Sequence, residues 1–96
     1  MYRLAPDLLL VFKPCGHAEG EHAHPHAQRL KVLRGRLLVR TRTRTVRLGP
    51  RSRALTLTAG RAHATTALAD TWLVAERVAA RTAIRRGGSK TRPYTS

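Results

Sequence analysis

Apolar residues along the first three quarters of this chain come in short runs separated by glycine, proline and polar residues. Residues 8–12 (LLLVF) predict a strand that ends at Lys13-Pro14-Cys15-Gly16. Residues 22–33 predict another, broken at Pro25 and closed by Arg34-Gly35. Residues 36–41 and 44–48 predict a hairpin whose turn falls within 41–44, although that turn has neither glycine nor asparagine. Gly49-Pro50 then marks a break. Residues 53–58, 62–68 and 71–76 predict three further short strands, with Ala59-Gly60 and Ala69-Asp70 between them. Strands at this spacing predict an all-β sandwich or barrel. The end of the chain differs. Residues 78–86 (VAARTAIRR) predict a short helix stopped by Gly87-Gly88, and residues 89–96, with Lys90, Arg92 and Pro93, predict a frayed basic tail. The expected division is a barrel over residues 1–77 and a basic helical or disordered tail over residues 78–96.

One stretch carries candidate chemistry. Between Gly16 and Gly35 the chain holds His17, His22, His24 and His26, then Leu30, Val32 and Leu33 interleaved with arginine and lysine. Alternate residues of a strand share a face. His22, His24, His26, Gln28, Leu30 and Val32 share one parity, and Ala23, Ala27, Arg29 and Lys31 the other. If Leu30 and Val32 face a core, His22 and His24 point the same way, while Arg29 and Lys31 face water. The pattern fits a metal site on a strand whose inner face changes from polar to apolar. A hydrogen-bonded polar patch of histidines is the alternative. His17 is expected in the loop before the strand, and His26 at the mouth or in solvent. Glu19 and Glu21 are placed in that same loop, with Glu21 directed outward; no catalytic acid or base is marked by the spacing.

Composition sharpens this picture in three ways. The 96 residues form one domain with 42% hydrophobic but only 4% aromatic residues, so the core must come from Leu, Val and Ala. So small a core favours homodimerisation, and Trp72 is expected to seal it. The formal net charge of +14 favours anionic partners of any class, though an Arg- and Ala-rich chain also arises from base composition alone. Arg40, Arg42 and Arg44 cluster at the predicted hairpin tip, where they could touch nucleic-acid phosphates. Yet Tyr2, Phe12, Trp72 and Tyr94 are scattered rather than interleaved as stacking platforms. A lone cysteine, Cys15, excludes an internal disulfide and fits a reducing compartment. The apolar run 8–12 is too short for a signal peptide or membrane span, so a cytoplasmic protein without membrane attachment is expected.

The spacing also resembles a known family. The first motif of the cupin superfamily reads G-x5-H-x-H-x3-E-x6-G; Gly16, His22, His24 and Gly35 stand at matching places, with Gln28 where the family has Glu. Its second motif, G-x5-P-x-G-x2-H-x3-N, is matched at Gly60 and His63, whereas Ser52, Thr58 and Ala67 depart from it. The resemblance runs from about Leu8 to Glu76 and is that of a small single-domain cupin. It implies a jelly-roll β-barrel of six to eight strands with a metal inside its mouth. Carried over residue by residue, the ligand set is His22, His24, Gln28 and His63. Such a set suits a divalent transition metal, whether Zn, Fe, Ni, Mn or Cu. The implied ligand is a small, anionic organic molecule. Whether the protein is an enzyme stays open, because oxygenases, isomerases, cyclases and non-catalytic binders all share this fold. The alternative from another class is a non-catalytic basic module that binds nucleic acid or an acidic partner and carries a degenerate metal site.

Overall fold

The computed structural model describes residues 1–78, and these form nine strands: β1 (Tyr2–Ala5), β2 (Leu8–Lys13), β3 (Ala18–His22), β4 (Ala27–Arg34), β5 (Leu37–Thr41), β6 (Thr45–Leu48), β7 (Leu55–Leu57), β8 (His63–Ala67) and β9 (Thr71–Val78). The expected helix over 78–86 and the tail beyond it lie outside the described residues, apart from Val78, which ends β9. Two antiparallel sheets face each other, one ordered β1-β2-β9-β4-β7 and the other β3-β8-β5-β6. The all-β jelly-roll expectation holds, with nine strands in place of six to eight. The strand not anticipated is β1, whose residues are all exposed and which pairs only with β2 at a sheet edge.

Strand alternation supplies the core. Leu30 and Val32 of β4, Leu37 and Val39 of β5, Leu48, Leu57 and Leu73 pack between the sheets as one buried cluster. With so few aromatics, these β-branched and leucine side chains provide nearly all of the hydrophobic driving force. Trp72 does not join them. It lies half-buried on the outer face of the five-stranded sheet, opposite Phe12, with ring centroids 4.9 Å apart. Its neighbour Leu73 takes the inward position, because successive residues of β9 point to opposite faces.

The predicted strand over 22–33 is two strands in different sheets. β3 ends at His22, the chain bends through Pro25, and β4 begins at Ala27 in the opposite sheet. Proline lacks an amide hydrogen and breaks the ladder, so the continuous parity from His22 to Val32 does not apply across it. The β5–β6 hairpin forms as predicted. Its turn dispenses with glycine because Thr41 Oγ1 accepts from the Arg44 amide at 3.2 Å and donates to the Arg44 carbonyl at 3.1 Å. The Thr41 amide also donates to that carbonyl at 2.8 Å.

Gly16, Gly35 and Gly60 sit in left-handed backbone, and the last two differ in what surrounds them. Gly35 (φ 92°) turns the chain from β4 to β5, and a Cβ there would collide with the Asp70 carbonyl oxygen and with Thr71. Gly60 (φ 76°) has open space where its Cβ would stand. Gly60→Ala should therefore lower unfolding stability by only the backbone term, about 1–2 kcal/mol. Gly35→Ala should lose that amount plus roughly 1–3 kcal/mol of steric overlap. Urea unfolding of the two variants checks this; equal losses would contradict the close packing at Gly35.

Candidate metal centre

The site is assembled where β3 meets β8. Ala18 pairs with Thr66 and Glu19 with Thr65, but the next pair is His22 with His63, so Gly20 and Glu21 together oppose Ala64. This bulge adds one residue to β3 and thereby puts Glu19 and His22, three positions apart, on the same inner face. Beyond β3, His24 lies in the connection to β4 rather than on a strand. Its position is fixed from the other side, for the Gly60 amide donates to the His24 carbonyl at 2.8 Å.

Three imidazoles result in one cluster. Ring centroids stand 4.8 Å apart for His22 and His24, 4.5 Å for His22 and His63, and 5.4 Å for His24 and His63. One ring nitrogen from each lies within 4.8 Å of the others. Nitrogens sharing one ion at about 2.0–2.1 Å approach one another more closely than this, so modest ring rotations would bring the three onto a common centre. His22 Nδ1 lies 2.8 Å from the Gly20 carbonyl and His63 Nδ1 lies 3.4 Å from the Arg61 carbonyl. A carbonyl only accepts, so each Nδ1 carries the proton and each Nε2 keeps its lone pair. Hydrogen bonding of this kind fixes the tautomer in histidine ligands generally. Burial holds the His63 imidazole below its ordinary pKa, with the charges of His22 and His24 adding to it against the opposing pull of the Arg61 carbonyl and Glu19. The neutral, ligating form is favoured. By donor type, and by the tautomers of His22 and His63, the cluster fits a divalent transition metal.

A cavity of about 250 Å³ opens beside the cluster, lined by His22, His24, His63 and Gln28 together with apolar residues such as Leu9 and Leu37. Gln28 is half-buried on β4 and so reaches the cavity from the sheet opposite His22 and His63. His26 is exposed in the connection after Pro25, and His17 precedes β3, 3.8 Å from Glu19 through Nε2. Glu21 is exposed, but it and Glu19 lie within β3, not in a preceding loop.

Lys13 and Thr65 of the cavity wall escaped the sequence reading, and Glu19, expected within reach of a ligand, was expected on a loop and not on the wall. Lys13, the last residue of β2, continues the inward parity of Leu9 and Val11, and its side chain is only 11% exposed. Its Nζ lies 3.2 Å from Glu19 Oε1. Treating Lys13 as the polar end of an apolar run hid this, although period-two counting from Leu9 would have found it. The inward position of Glu19 was hidden by the bulge, for which Gly20 inside a strand is the sequence signal.

No family model matches the sequence, and no curated protein sequence matches it. Solved structures do. A cupin superfamily protein from Desulfitobacterium hafniense superposes with a TM-score of 0.66 at 15% identity, over 80% of this chain and 72% of that one. KdgF from a Halomonas species gives 0.62 at 27% identity, over 74% of this chain and 67% of its own. The DMSP lyase DddQ from Ruegeria pomeroyi gives 0.62 at 25% identity, over 77% of this chain but only 40% of that one. This is the cupin fold. Of the first-motif positions, His22 ends β3, His24 lies in the connection and Gln28 is on β4; of the second, Gly60 lies between β7 and β8, and His63 begins β8 beside His22. Among the described residues, no helix is long and apolar enough to cross a membrane.

The Lys13–Glu19 pair gives the protein a defined acid response. Burial is the largest influence on the Glu19 carboxyl and raises its pKa, but the hydrogen bond and charge of Lys13, with His22 and His17, together bring it below the ordinary 4.5. As pH falls below 4.5 the unfolded chain takes up this proton first. The pair therefore stabilises the fold above that pH and ceases to do so as pH falls through the lowered native value. In Lys13→Met the acid limb of the stability profile should be flatter. Urea unfolding across that range measures it, and a limb as steep as that of the parent protein would contradict the pairing.

Proposed function

We propose that this chain is a metal-dependent cupin that binds or transforms a small, anionic organic molecule at a divalent transition metal held by His22, His24 and His63. The observation that carries the reading is the convergence of one nitrogen from each of these rings within 4.8 Å at the wall of a cavity. Gln28, on the same wall, offers a neutral amide oxygen where the family motif has a carboxylate, either as a weak fourth ligand or as a hydrogen-bond partner to one.

Each residue contributes separately to this chemistry. The Gly20 and Arg61 carbonyls orient the His22 and His63 rings. Leu30, Leu37 and Leu73 give the cavity an apolar lining, which strengthens electrostatic interactions beside it. When bound, the ion supplies Lewis acidity toward an oxygen of the ligand. Because none of the three imidazoles nor the Gln28 amide is anionic, the donor set leaves the full divalent charge uncompensated, and this favours an anionic partner. A small-molecule role is supported by the neighbours, one of which is a DMSP lyase.

Elemental analysis of the protein purified without chelators tests the proposal. About one divalent transition metal per chain is expected, falling to near zero in His22→Ala/His24→Ala, with circular dichroism verifying the fold. A metal-free parent protein, or a double variant that keeps its metal, would refute it. Gln28→Glu should hold the metal longer against a chelator, since a carboxylate is the stronger donor; faster loss would remove Gln28 from the donor region.

A further inference from the structure

The cavity contains a second polar group of side chains that metal binding does not use. Lys13 Nζ is a buried amine with three donors, and among the described residues its ionic partner is Glu19 alone. Thr65, 6% exposed, lines the same cavity, and its Oγ1 has no hydrogen-bond partner among the described residues. Thr65 stands directly opposite Glu19 in the β3–β8 ladder and Lys13 reaches Glu19 from the facing sheet, so the hydroxyl, the carboxylate and the amine all line one cavity. The rest of that surface is largely apolar, with Leu9, Val11, Leu73 and Ala75 beside them.

A buried hydroxyl without a partner and a buried amine with donors to spare are each unfavourable unless something else satisfies them. Glu19 meets only part of the demand, and at 45% exposure its side chain can turn to solvent. The other acids lie elsewhere: Asp7 beside Arg77, Glu76 beside Arg29, Asp70 on the Cys15 amide, and Glu21 exposed.

Resting on the reading of this cavity as the ligand site, we propose that Lys13 and Thr65 form a carboxylate subsite, so that the ligand is a small organic acid. Its carboxylate accepts from Lys13 Nζ and from the Thr65 hydroxyl, its apolar body lies against Leu9, Val11 and Leu73, and its far end is directed toward the histidines. Glu19 occupies Lys13 when no ligand is present and competes with the incoming carboxylate. A planar carboxylate suits one amine and one hydroxyl; a phosphate has more charge and more acceptors than they serve. The cavity, at about 250 Å³, is below the range of about 300–1,000 Å³ that accommodates drug-sized ligands, which limits the acid to a small one.

The mechanism gives opposite signs for neighbouring substitutions. Succinate, succinamide and inorganic phosphate are titrated into the full chain, both as purified and after chelator treatment, and followed by calorimetry and amide NMR. Succinate should bind and succinamide should not. Lys13→Met should weaken succinate by on the order of tenfold, Thr65→Val by a few-fold, and Glu19→Gln should tighten it. Thr65→Val preserves shape, so it remains informative if Lys13→Met fails to fold. Equal affinity for succinate and succinamide, phosphate binding with the same Lys13 dependence, or weaker succinate binding in Glu19→Gln would overturn the subsite. The chelator-treated arm separates the two claims: Lys13-dependent binding there upholds the subsite even if no metal is found. Metal content that survives alongside Lys13-independent binding sinks the subsite alone.

Discussion

Gly20 and Glu21 share a single opposing position on β8, and the contents of the cavity follow from that bulge. Three positions apart in a regular strand, Glu19 and His22 would point to opposite faces of the sheet. With the bulge, Glu19 faces inward beside Thr65 and His22 faces inward beside His63. The bulge lies at Gly20 and Glu21, and Pro25 interrupts the chain three residues after His22. The chain can then leave one sheet, present His24 from a short connection and enter the other sheet as β4. The amide of Gly60 holds that connection in place through the His24 carbonyl. The two cupin motifs are thus joined by a backbone hydrogen bond as well as by their histidines.

Much of this could be read from residue order. Apolar runs of four to six residues between Gly and Pro located most of the strands; strand parity put His22 and His24 on one face, and the resemblance to the cupin motifs implied that His63 would join them. What escaped depended on pairing. Alternation is a local rule, and it could not reveal that 22–33 divides between two sheets at Pro25, because which sheet a strand joins is decided by distant partners. The same limit applies to Trp72. Its size suggested the core, but inward registry belongs to Leu73, and the indole packs on Phe12 outside. β1 was missed for a different reason. Its YRLA sequence has no apolar alternation to bury and is a strand only through its ladder with β2.

The electrostatics of the molecule are divided between surface and cavity. Arginines such as Arg40, Arg42 and Arg44 are exposed around the β5–β6 turn, where they add to a field that draws anions from solution. Inside, the ionisable groups are few and specific: one amine, one carboxylate that balances it, and three clustered imidazoles, of which His63 is held below its ordinary pKa by burial. The exterior charge concentrates anions of every kind, and the cavity is the part of the structure equipped to select among them.

The central claim is that His22, His24 and His63 present their free ring nitrogens to one point, and ring nitrogen NMR tests it most directly. Long-range proton–nitrogen spectra of the chelator-treated protein, recorded during titration with Zn²⁺, resolve each of the five histidines of the chain. The structure predicts Nδ1-protonated tautomers for His22 and His63 before addition, then large Nε2 shifts at both, with His24 responding at the same equivalents and His17 and His26 remaining unchanged. A uniform response from all five rings, or a silent His63, would contradict it.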